Sequence, residues 1–178
     1  MTGGDKQTEW LLDLIIDQLE WLEDDGYMPV GHDARRSRIS VGYGSARGRV
    51  NVSVDGGRRD IEIWLAPPKQ GDPEARIDFL RDPHVMMESL LNTHGLPYPP
   101  GHWSRSADAE GVVCRYVGGL QQLRDRELSG DWSLYPVAVE VARSGRDAAF
   151  EYWISRAVID DPPLAQRLER LRPMGHSR

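Results

Sequence analysis

The chain has 178 residues, 39% of them hydrophobic and 28% charged, and its net charge is −6. That is enough apolar material for the core of one ordinary domain, and too much for a disordered chain. The negative balance argues against general nucleic-acid binding, which neutralises phosphates with Lys and Arg.

Cys114 is the one cysteine, so no intramolecular disulfide can form, which suits a reducing compartment. Residues Met1 to Gln7 are polar and show no secretion pattern. The longest apolar cluster is interrupted by Asp13 and Asp17, far short of the ~20 apolar residues of a membrane span. These features predict a soluble, cytoplasmic protein with no membrane association.

In chain order, the spacing predicts a first helix over 8–24. Leu11, Leu14, Ile15, Leu19 and Leu22 recur at helical intervals, and Gly26 follows as a left-handed stop. At about residue 38 the period changes to 2. Ile39, Val41 and Tyr43, then Val50, Val52 and Val54, then Ile61, Ile63 and Leu65 alternate with polar residues. Turn-forming runs at 44–48 and 55–59 separate them, so the pattern predicts an antiparallel meander whose nine apolar residues share one face. The first helix is the natural cover for that face. Ile77 and Phe79 alternate like a fourth strand within 75–80.

Asp82-Pro83 predicts the start of a short helix ending near Thr93, with Gly95 as its stop. The proline-rich stretch 96–103 reads as a rigid connector. A long helix is expected from about 106 to 128, with a kink or close packing contact at Gly118-Gly119, and Ser129-Gly130 ends it. Pro136 to Arg143 fits helix or strand. Further helices are expected over 146–158 and 161–171. The expected fold class is therefore α+β in a single domain. Its β-rich part (8–80) is an N-terminal helix packed on a three- to four-stranded antiparallel meander. Its mainly helical part spans 83–172, and 173–178 form a loose tail.

The search for chemistry assigns no catalytic residue, no metal site and no cofactor. None of the five histidines forms an i, i+4 pair, and no CxxC or HExxH occurs. Cys114 lies beside Val112 and Val113 and reads as a small buried hydrophobe. Gly42-Tyr43-Gly44 would link two strands rather than open a helix, so it reads as part of a hairpin and not as a nucleotide loop.

Two sets of candidate site residues remain. Trp64 alternates onto the polar face of the meander with Glu62, Asn51 and Arg38, and a tryptophan in that setting resembles an interface anchor. The carboxylates Glu23, Asp24 and Asp25 end the first helix, against its dipole, and would steer toward a basic partner. Candidate pocket residues are His94, His102 and Trp103 around the connector, with Asp131 and Trp132 between two helical segments. The sequence thus points first to a non-enzymatic protein-binding domain, an immunity- or antitoxin-like neutraliser of a basic partner protein. The alternatives are a small-ligand binder or enzyme with a pocket between the two parts, and an accessory subunit of a larger assembly.

Overall fold

The structure is a computed structural model that describes residues 3–35, 38–98, 100–105 and 108–144. By compactness the chain divides into two units, Met1–Val139 and Glu140–Arg178. The described residues of the second unit are 140–144, which are helical. The expected helices over 146–158 and 161–171, and the tail, lie outside the described residues. Apart from the helical state of 140–144, everything below concerns the first unit.

An N-terminal helix, a five-stranded antiparallel sheet and helices in the C-terminal half give an α+β arrangement. Helix α1 spans Gly3–Asp24. Leu11, Ile15, Leu19 and Leu22 form its buried stripe, whereas Leu14, expected in it, is only half-buried. At its end Tyr27 N–H donates to Leu22 O (2.9 Å) and Gly26 N–H to Glu23 O (2.9 Å), with Gly26 left-handed at φ +80°. This paired closure satisfies two carbonyls that the last turn leaves open. It also turns the chain straight into the sheet.

The sheet is a plain meander, β1 (Met28–Arg35), β2 (Arg38–Ser45), β3 (Gly48–Asp55), β4 (Asp60–Ala66) and β5 (Val85–Met86), each strand beside its successor. The register puts Val41 opposite Val52 and Val52 opposite Ile63. All nine apolar residues expected on one face are buried, none more than 3% exposed. Each such side chain contributes about 2 kcal/mol of burial. Helix α1 packs on this inner face against β1 and β2.

Three expectations about the sheet are corrected. Strand β1 is additional, and its sequence hides it. It carries Pro29 and Gly31 (φ +124°), and the register slips between them in a bulge. Pro and bulges are tolerated on an edge strand because one side of its backbone needs no ladder bonds. The turn expected over 44–48 is only Ala46-Arg47, because Ser45 and Gly48 still pair. Residues 75–80 form no strand. Only Ile77 of this stretch is buried, and the Arg76 carbonyl bonds to the Arg49 side chain (3.4 Å) rather than to a neighbouring strand.

Helix α2 (Met87–Thr93) starts later than Asp82-Pro83 because Val85-Met86 first pair with Leu65-Trp64. The connector is irregular, as expected, but it is zipped to β4. Ile61 N–H donates to Gly101 O (2.7 Å), Trp103 N–H donates to Arg59 O (3.0 Å), and Asp60 bridges His102. Since β3 occupies one edge of β4, the connector and β5 share the other.

A β-carbon on Gly101 would lie 2.6 Å from Ile61 O and 2.8 Å from the Tyr116 ring. Gly101→Ala is therefore expected to cost about 2 kcal/mol of stability through overpacking against backbone. Urea denaturation measures this, and an unchanged midpoint would refute the close approach.

The long helix expected over 106–128 is shorter. Helix α3 spans Ala109–Leu120, and single 3₁₀ turns follow at Gln121–Leu123 and Glu127–Ser129. It runs through Gly118-Gly119, with open space beside Gly118, and tightens only afterwards. Gly130 (φ +103°) ends the second turn. Residues 135–144 are helical, which resolves the ambiguity at Pro136 to Arg143. Helix α3 packs against α1 and β4. No helix among the described residues is long and apolar enough to cross a membrane.

Candidate functional site

The outer face of the sheet is lined by polar residues of alternating register. Asn51 lies opposite Trp64, and Ser53 lies opposite Ser40 on one side and Glu62 on the other. These residues bond to one another, twice across strands and once along β4. Arg38 Nε donates to Ser53 Oγ (2.9 Å), Ser40 Oγ donates to Asn51 Oδ1 (2.9 Å), and Trp64 Nε1 donates to Glu62 Oε2 (3.3 Å). The Arg38 guanidinium is 3.8 Å from Glu62. The four outer-face residues singled out from the sequence are thus one connected patch.

This face is covered in part, by the long loop that joins β4 to β5. Arg49, 3% exposed, holds the loop down. Its Nε donates to Pro67 O (3.0 Å), and its Nη1 bonds to Arg76 O and pairs with the Asp82 carboxylate. Asp82 also accepts from the Asp78 amide (2.9 Å). That amide first, and Arg49 next, hold the Asp82 carboxyl below its ordinary value. Glycines make room for the crossing. A β-carbon at Gly44 would lie 2.7 Å from Pro73 O, and one at Gly42 would lie 3.4 Å from Arg76 Nε.

Between Arg76 and Asp82 the loop carries Phe79 and Leu80. Phe79 and His84 meet Trp64 in a cluster of edge-to-face contacts. The ring centroids are 5.8 Å apart for Trp64–Phe79, 5.1 Å for Trp64–His84 and 5.0 Å for Phe79–His84. Phe79 is still 44% exposed, and Leu80 beside it is 95% exposed. Below Phe79 is a pocket of about 360 Å³ lined by Asp33, Arg38, Ser40, Asn51 and Phe79. Arg38 and Asn51 were legible from the period of the strands. Asp33 lies on the strand the sequence conceals, and Phe79 and Leu80 lie on the loop that resembled one.

The other candidates fall in separate places. Asp25 pairs with Arg124 (2.7 Å), fastening the end of α1 to the segment after α3. Glu23 and Asp24 are exposed. His94 follows α2, where its Nε2 is 2.8 Å from the fully buried Glu127 carboxylate and its Nδ1 meets the Arg126 guanidinium. Trp132 closes the β2–β3 hairpin. Its Nε1 donates to Arg47 O (2.6 Å), and its ring occupies the space where a Gly48 side chain would stand. Asp131 caps its own turn by accepting from the Ser133 amide (3.1 Å). Among the described residues, His102 and Trp103 share a cleft of about 500 Å³ beside the start of α3, with Ser104, Asp108 and Arg115. Cys114 is part-exposed rather than buried as expected; burial first, and Glu110 next, raise its thiol, the opposite of the activation a nucleophile needs.

No family model, no curated protein and no solved structure matches this chain.

Proposed function

We propose that this chain is a non-enzymatic protein-binding domain that docks its partner on the outer face of the sheet. The observation that carries the reading is the crest of the β4–β5 loop. Phe79, 44% exposed, stands beside Trp64 and lines a polar pocket, and the adjacent Leu80 is 95% exposed. An apolar pair held up by a buried arginine anchor, next to hydrogen-bonding groups with spare capacity, has the make-up of an interface centre. The net charge of −6 acts at longer range and favours encounter with a partner of opposite net charge, as an antitoxin-like neutraliser would need.

The test uses a partner recovered with the full chain from its native host and then purified. Phe79→Ala together with Leu80→Ser should weaken binding by about 2 kcal/mol or more, roughly thirtyfold, in calorimetry. Ile16→Ser, at an exposed position of α1, should leave the affinity unchanged. Equal affinity for all three proteins would sink the outer-face reading.

A further inference from the structure

The cleft beside the start of α3 carries two side chains of opposite charge that the fold does not pair. Asp108, Gly111 and Arg115 recur along one side of it at helical spacing. Arg115 folds back over Gly111, toward the Asp108 end of the helix, with its Nη1 3.1 Å from where a Gly111 β-carbon would stand. Gly111 thus leaves the floor open to the guanidinium. Among the described residues, neither the Asp108 carboxylate nor the Arg115 guanidinium makes a hydrogen bond or ion pair, with each other or with a third group.

The cleft also holds an unused donor. Trp103 is 7% exposed and lines it. The indole Nε1 bonds to none of the described residues. It is not enclosed either, because the enclosed orphan atoms belong to Trp21, Glu88, Glu127 and Tyr135. Nε1 therefore reaches solvent, and the cleft is the opening that its side chain lines. The Trp103 ring, Val112 and Pro100 add apolar wall, and about 500 Å³ is room for a small molecule.

The pattern of charge selects the ligand. A simple anion would use Arg115 and meet the Asp108 carboxylate, and a simple cation would do the reverse. A zwitterion uses both. Other charges stand close: Arg59 is bonded to the Ser104 carbonyl, and Arg105 and Glu110 neighbour the cleft in sequence without lining it. The exposed His102 lines it.

We infer that this cleft binds a free amino acid with an apolar side chain. Arg115 and Trp103 Nε1 donate to its carboxylate, Asp108 accepts from its ammonium group, and its side chain lies against Trp103, Val112 and Pro100. The site is independent of the docking face on the sheet.

The probe is L-phenylalanine, compared with L-phenylalaninamide, which keeps only the positive charge, and N-acetyl-L-phenylalanine, which keeps only the negative one. In nitrogen-edited NMR on the full chain, the Trp103 Nε1–H and Gly111 amide signals should shift and saturate with phenylalanine at roughly millimolar concentration. Each comparison compound should bind roughly fivefold more weakly. Arg115→Gln should lower phenylalanine to the level of the amide, and Asp108→Asn should lower it to the level of the N-acetyl compound. Both positions are exposed, so neither change should disturb folding. Phe79→Ala with Leu80→Ser should leave phenylalanine binding unchanged. If the N-acetyl compound or the amide binds as tightly as phenylalanine, the zwitterion site is refuted. Absence of saturation, or shifts confined to residues away from the cleft, would refute it equally.

Discussion

Arg49→Ala is expected to lower the stability of the protein by about 3–5 kcal/mol, as breaking a buried ion pair does. Arg49 is almost wholly enclosed and makes two backbone contacts as well as its pair with Asp82. Removing it opens a cavity under the β4–β5 loop and leaves the Asp82 carboxylate and the Pro67 carbonyl short of donors. The loop should then be cut early in limited proteolysis, and partner affinity should fall with it, because the loop presents Phe79 and Leu80. A double change, Arg49→Met with Asp82→Asn, should recover part of the loss. If Arg49→Ala instead melts with the wild type, the loop is not held this way.

The same anchor has a defined pH dependence. The Asp82 carboxyl has a folded-state pKa below its ordinary value of 3.8. Its contribution is fully present above that ordinary value. It fades as the pH falls through the lower folded value, where the unfolded chain binds the proton more readily. The stability gap between wild type and Asp82→Asn should thus be constant near neutrality and close on acidification below about pH 4.

The second large effect is expected at His94→Ala, a loss of about 3 kcal/mol. Glu127 is completely enclosed, and its Oε2 has no partner among the described residues, so His94 supports the one oxygen that is satisfied. The Arg126 guanidinium can only donate to His94 Nδ1, so the imidazole carries its proton on Nε2 and donates it to Glu127. Without His94 the buried carboxyl group loses the donor to its one satisfied oxygen. Pairing His94→Ala with Glu127→Leu should restore most of the stability in urea denaturation. If the double variant is no more stable than the single one, the cost is a cavity and not an unsatisfied buried polar group.

Much of the frame was readable from the order of residues. The apolar stripe of α1, its glycine stop and the change of period at residue 38 each have a local cause, and each appears where expected. The polar outer face followed from the same alternation, which is why Arg38, Asn51, Glu62 and Trp64 do meet. What escaped was set by long-range contact. Gly42 and Gly44 look like turn residues, but they are strand positions kept bare by distant contacts, the Arg76 side chain over Gly42 and the backbone at Pro73-Glu74 over Gly44. Strand β1 lacks alternation because an edge strand with a bulge does not need it. Ile77 and Phe79 mimic a strand, but one is a plug and the other a crest. His94 and Glu127 meet across 33 residues, a pairing that no local periodicity announces.

The shared edge of β4 also bears on how the chain is made. Strands β1 to β4 are joined by short turns, so they can pair as soon as residue 66 has emerged from the ribosome. The outer edge of β4 then stays bare until the segments at 85–86 and 101–103 follow. At roughly 5–20 residues per second, that interval lasts on the order of a few seconds. Throughout it, Ile61, Ile63 and Leu65 lie on a strand with an open row of backbone donors and acceptors, a template for a neighbouring nascent chain. The proline-rich connector, which makes no contact assigned to partner binding, is what completes the closing of that edge.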